Sequence, residues 1–83
     1  MRMSIRKLAP GNHNIVGARV TEARSAAGML QKDLLARLQV SGLGISHPAL
    51  SLLEGQERPV SDIELKALAE ILNIDVRWLL GQI

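Results

Sequence analysis

Val16, Val20, Ala23 and Ala27 recur at i, i+4, i+7 and i+11, the spacing of one face of an α-helix. Asn14 precedes them as an N-cap and Gly28 follows as a stop, so the pattern predicts a first helix over about 14–27. Leu34, Leu35 and Leu38 form the stripe of a second helix that begins near Gln31 and stops by Val40. Ser41-Gly42-Leu43-Gly44 reads as a turn, with two glycines in three residues. Ser46 is a good N-cap for a third helix, and Pro48 falls in its first turn, where its missing N–H has no intrahelical partner to lose. Leu50 and Leu53 face inward on that helix, with Ala49 beside them, and Gly55 ends it. Beyond the connector Arg58-Pro59-Val60, Ser61 and Glu64 make a capping box. The fourth helix carries the stripe Ile63, Leu65, Leu68, Ala69 and Leu72, and Asn73 ends it. Asp75 caps a short fifth helix with Trp78 and Leu79. No segment reads as a strand. The fold class is therefore all-α: five short helices over residues 14–83, preceded by a basic arm, 1–13, that contains Pro10-Gly11-Asn12.

Composition supports this. Hydrophobic residues make up 47% of the 83, yet Phe and Tyr are absent and Trp78 is the only aromatic. A core of Leu, Ile, Val, Ala and Met suits helices, because strands favour aromatic and β-branched residues. The length allows one core, and so small a domain gains from dimerisation. Without cysteine, neither a disulfide framework nor a thiolate zinc site is possible. No apolar run approaches the roughly 20 residues of a membrane span, and the basic start leads into Pro10 rather than an apolar signal core. A cytoplasmic location is expected. The net charge of +2 is uneven: residues 1–37 sum to +5 and residues 38–83 to −3. A basic half attracts phosphate at long range, although a solvated surface explains the asymmetry equally well.

Little here suggests catalysis. Ser41, Ser46 and Ser51 have no adjacent base and orienting acid, so caps and turns account for them. Glu54 and Glu57 stand three apart at a helix end, the setting of a salt bridge and a solvated charge. Gly42-Leu43-Gly44 lacks the preceding strand and Gly-Lys-Ser/Thr terminus of a phosphate loop. His47 and the distant His13 read as surface residues rather than metal ligands. No enzyme, cofactor, metal or small-molecule ligand is implied.

The ordered set of motifs is more informative. Gln31-Lys32-Asp33-Leu34-Leu35-Ala36-Arg37-Leu38, a turn, then Ile45-Ser46-His47-Pro48-Ala49-Leu50-Ser51-Leu52-Leu53-Glu54-Gly55 resembles the Cro/CI-type (XRE) helix-turn-helix family. The flanks agree: Val16-Gly17, Arg24 and Gly28 upstream, Arg58-Pro59 and Trp78-Leu79-Leu80 downstream. The likeness covers about 14–81 and is greatest to the subgroup with a longer turn before Ile-Ser. It implies a lambda-repressor-like domain that binds double-stranded DNA as a regulator of transcription, a repressor by type, with the third helix in the major groove. Base-reading positions carry over to His47, Pro48 and Leu52, with Ser46 and Ser51 on the same surface. Gln31 and Lys32 would meet phosphate at the start of the second helix. Arg58 would clamp the DNA backbone. Arg2, Arg6 and Lys7 would form an arm along the duplex or an unengaged tail. Arg24 and Glu54 would pair across the first and third helices as a structural ion pair.

Three departures qualify the resemblance. Leu30 stands where the family commonly has a Ser or Thr cap, and Leu35 replaces a small residue where the second and third helices cross. The reading face also lacks Arg, Lys, Asn and Gln, the usual readers of bases. Pro48 and Leu52 suit either thymine methyls or a protein partner. A homodimer on a palindromic site is the expected assembly, with Trp78, Leu79, Leu80 and Ile83 as the preferred dimer surface, while Trp78 also suits a partly buried core position. The alternative is a protein-interaction module on the same scaffold, antitoxin-like or regulator-binding, without specific DNA reading.

Overall fold

Five α-helices account for the regular structure of the computed structural model, which describes residues 13–83: α1 (Gly17–Ala26), α2 (Gln31–Val40), α3 (His47–Glu54), α4 (Asp62–Leu72) and α5 (Val76–Leu79). Among the described residues there is no strand, and no helix is long and apolar enough to cross a membrane. The expected arm, apart from His13, lies outside the described residues.

One aliphatic core holds the helices together. Val20, Leu34, Leu38, Leu50, Leu53, Leu68 and Leu79 are fully buried, with Val16, Ala23, Ile45 and Leu72 around them. Each buried leucine contributes about 2 kcal/mol relative to exposure. α3 packs on α1 and α2, and α4 packs on α1, α2 and α5.

The caps explain most of the boundaries. Ser46 Oγ accepts the Ala49 N–H at 3.2 Å. Ser61 and Glu64 close the expected capping box, at 3.1 Å from Glu64 N–H to Ser61 Oγ and 2.9 Å from Ser61 N–H to Glu64 Oε1. Asn73 ends α4 in the left-handed region, at φ 55°. Asp75 accepts the Arg77 N–H at 2.8 Å to start α5. Leu30 offers α2 no side-chain acceptor, but Asp33 Oδ2 takes the Leu30 N–H at 2.9 Å, which is half of a capping box. In the turn after α2, Gly42 sits at φ 105°. Gln39 Nε2 reaches forward to the Ile45 carbonyl at 2.9 Å, and buried Ile45 pins the turn to the core.

Three sequence expectations require correction. The first helix is shorter than 14–27, because Asn14 acts from outside it and Gly28, at φ 72°, reverses the chain. Ala27 is exposed, beyond the last helical turn, beside the shallow groove that Ala23, Leu72 and Trp78 line. Ile63 is 67% exposed. Five residues before Leu68, it falls about 140° around the helix at 100° per residue, away from the stripe of Leu68 and Leu72. Finally, Leu79 cannot serve a surface contact, since it is fully buried. Trp78 and Leu80 are half-buried against the core, and Ile83 is exposed.

Candidate functional site

α3 divides cleanly into two faces. Leu50 and Leu53 are fully buried, whereas Ser46, His47, Pro48, Ser51 and Leu52 are all exposed, Leu52 at 43%. Five of the eight residues expected to contact a ligand thus form one outward surface. Gln31 and Lys32, in the first turn of α2, belong beside it. A hydrogen bond of 3.1 Å from Ser51 Oγ to Gln31 Oε1 joins the two helices. Lys32 is exposed and has no ion-pair partner among the described residues.

A polar network holds this face from behind. Arg24 and Glu54 form the expected pair, at 2.9 Å from Nε to Oε2 and 3.0 Å from Nη2 to Oε1. Their side chains are only 15% and 6% exposed. Glu54 Oε1 also accepts from Thr21 Oγ1 at 3.1 Å and from Gln31 Nε2 at 3.2 Å, while Arg24 Nη1 donates to the Met29 carbonyl at 2.9 Å. Such a pair resists loosening, because removing one partner strands a desolvated charge. Glu54 is therefore the node where α1, α2 and α3 meet.

The same C-terminal end of α3 is also fixed by two amides. Asn14 Nδ2 donates to the carbonyls of Leu53 (3.0 Å) and Arg58 (2.8 Å). Its Oδ1 accepts from Val16 N–H and Gly17 N–H at 3.0 and 2.8 Å. One side chain thus caps α1, satisfies a carbonyl in the last turn of α3 and ties down the connector that follows. Gln56, buried and at φ 61°, donates Nε2 to the Asn14 carbonyl at 3.0 Å. Gly17 permits this approach: a Cβ there would stand 2.2 Å from the Leu53 carbonyl oxygen.

Arg58 departs from its expected role as a clamp offered outward. Its Nε donates to the Ala49 carbonyl at 2.8 Å and its Nη1 to the Pro59 carbonyl at 2.8 Å. The fork then grips Glu64, with Nη1 to Oε1 at 3.2 Å and Nη2 to Oε2 at 2.8 Å. The guanidinium is a staple between α3 and α4, 21% exposed. Burial pushes the Glu64 carboxyl up, but the hydrogen bonds and charge of Arg58, with the Ser61 N–H, outweigh it and leave the pKa lowered. At the start of α5, hydrogen bonds from Arg77 lower the Asp75 pKa to about 2.

Sequence reasoning found the outward face and the Arg24–Glu54 pair but missed four positioning residues. Gly17 carried a signal, since glycine in a helix costs about 1 kcal/mol against alanine and its presence suggests a tight approach. Thr21, Gln56 and the second function of Asn14 depend on contacts with residues 33, 42 and 39 positions away, which local pattern does not report. Among the described residues, no cluster of three His, Cys, Asp or Glu gathers that could hold a metal ion. The chain matches no protein-family model, no curated protein and no solved structure.

Proposed function

We propose that the chain is a sequence-specific double-stranded-DNA-binding regulator of transcription, a repressor by type. In this reading the fold is lambda-repressor-like, α2 and α3 are a helix-turn-helix, and α3 enters the major groove. The observation that carries the proposal is the outward face of α3, Ser46 to Leu52, on a helix locked behind by Glu54 and Asn14. A major groove about 12 Å wide admits a helix whose diameter with side chains is about 10–12 Å. Exposed Lys32, in the first turn of α2, supplies charge for phosphate. Ser46, His47, Pro48, Ser51 and Leu52 are the groups nearest the bases. Arg58 contributes by setting α3 against α4. A domain reading few base pairs needs a second copy for useful specificity, so a homodimer on a palindromic site completes the proposal. Ile83, with the half-exposed edges of Trp78 and Leu80, offers the contact surface at the C-terminal end.

The test is retention of random 20-base-pair duplex in a mobility-shift assay over a salt series. Binding should be tightest at low salt and fall linearly with log salt, and Lys32→Ala should reduce the slope by about 0.9. His47→Ala should change sequence preference at constant fold. Duplex that is not retained even at the lowest salt rejects the proposal.

One observation favours a second reading. Arg58 is spent on Glu64, and Val40 (89% exposed) and Ile63 (67%) add apolar surface outside the α3 face. A protein-interaction module on the same scaffold, antitoxin-like or regulator-binding, would use such surface without touching DNA.

A further inference from the structure

The residues of α3, His47-Pro48-Ala49-Leu50-Ser51-Leu52-Leu53-Glu54, include neither Lys nor Arg. The arginines packed behind this helix are withdrawn, Arg24 onto Glu54 and Arg58 onto Glu64. Guanine is most often read by a bidentate Arg or Lys, and α3 itself has none to offer; the exposed Lys32 stands on α2, at the helix start that the proposal sets against phosphate. Adenine is read by a bidentate carboxamide. Gln31 is the one at hand, but its Oε1 accepts from Ser51 and its Nε2 donates to Glu54. Bound across the α2–α3 seam, it is not free to meet a base edge with both ends. The Ser51 hydroxyl proton is directed to the same amide.

Ser46 is engaged as the N-cap of α3, its Oγ accepting the Ala49 N–H at 3.2 Å, and the other outward side chains are His47 and two apolar ones. Pro48 and Leu52 are both exposed and stand four residues apart, so they share one side of the helix. In the major groove the 5-methyl group of thymine is the apolar feature of a base edge. Against Pro48 and Leu52, guanine O6 or cytosine N4 would lose water without gaining a partner, whereas a methyl group would lose only unfavourable hydration.

We infer that Pro48 and Leu52 are a thymine-methyl-reading pair, so that this face selects duplex by its methyl pattern more than by hydrogen bonds. The inference rests on the DNA-binding reading and specifies which base feature that surface recognises. Leu52 is the specificity-determining residue of the two, because it projects from the helix while Pro48 also shapes the first turn.

The experiment selects a high-affinity duplex from a random pool at low salt. Each thymine is then replaced by deoxyuridine, which removes the methyl and keeps the pairing. Affinity should fall about fourfold for each contacted methyl, the effect of leaving one such group unburied. Replacing a contacted thymine by cytosine should weaken binding, and 5-methylcytosine there should recover part of the loss. Leu52→Ala, a truncation outside the core, should lower affinity for the selected duplex by about the factor that one contacted methyl contributes, and thymine and deoxyuridine duplexes should become equal at its position. If wild-type protein binds thymine and deoxyuridine duplexes equally, the inference is overturned while the DNA-binding reading stands. A selected site dominated by guanine contacts that Leu52→Ala leaves intact overturns it in the same way. If no duplex is retained at low salt, the DNA-binding reading fails, and this inference with it.

Discussion

Replacing Gly17 by alanine should destabilise the protein although alanine is the better helix former. In an exposed helix interior the change would stabilise by roughly 1 kcal/mol. Here the new Cβ would stand 2.2 Å from the Leu53 carbonyl oxygen and 2.8 Å from that of Glu54. Both obstacles are backbone, so rotating a side chain does not relieve them. An ordinary Cβ contact begins near 3.4 Å, and α1 must retreat from α3 by roughly 1 Å, as expected of overpacking. That retreat stretches the two Asn14 Nδ2 bonds, now 3.0 and 2.8 Å, each of which contributes about 1 kcal/mol net. Overpacking of about 1–3 kcal/mol, with weakened Asn14 bonds and the propensity gain set against each other, gives a net loss of about 2 kcal/mol. For a domain of this size that lowers the melting temperature by roughly 8–16 °C. Gly28→Ala provides the contrast: it meets no atom within 4 Å, but at φ 72° it incurs only the left-handed backbone penalty, about 1–2 kcal/mol. Urea and thermal unfolding followed by circular dichroism measure both. A Gly17→Ala protein as stable as wild type, or more stable, would refute the argument that α1 and α3 touch through their backbones.

Further expectations follow from the polar network. Glu54→Ala should cost about 2–4 kcal/mol in urea titration, below the range for a fully buried pair because Arg24 keeps 15% exposure and its bond to Met29. An unchanged denaturation midpoint would mean the pair does not hold the helices together. Ser61→Ala should lose about 1 kcal/mol as the α4 capping box opens, visible as a lower melting temperature. Because the folded pKa of Glu64 lies below its ordinary 4.5, its contribution is fully present above 4.5 and is lost as pH falls through the folded value. Glu64→Gln should therefore flatten the acid limb of stability against pH, and an unaltered limb would show that other carboxylates set it. Asp75 adds a second step in the same direction, between its ordinary 3.8 and about 2, which Asp75→Asn should remove.

The sequence made the helices legible because their signals are local. Ser46, Ser61 with Glu64, Asn73 and Asp75 act on neighbours within four positions, and each does what its type and place predict. Ile63 shows where pattern fails: an apolar residue near a strong stripe reads as part of it, although helical rotation puts it on the other side. Arg58 shows a second limit. A cation after α3 suits a phosphate, but the nearer carboxylate of Glu64, six positions on, takes its fork first. The candidate face was legible as a set of exposed side chains. The bonds from Gln31 to Ser51 and Glu54, which decide what that set can offer, depend on three-dimensional packing.

Arg19 holds the end of the chain to α1, with Nη1 donating to the Trp78 carbonyl at 2.7 Å and its guanidinium 4.9 Å from the indole centre. With no other aromatic residue present, ultraviolet-excited emission comes from this one spot, on a helix that docks chiefly against α4. Fluorescence would thus time the release of α5 alone, and a lag between it and the loss of helicity would reveal whether the last helix peels away before the rest unravels.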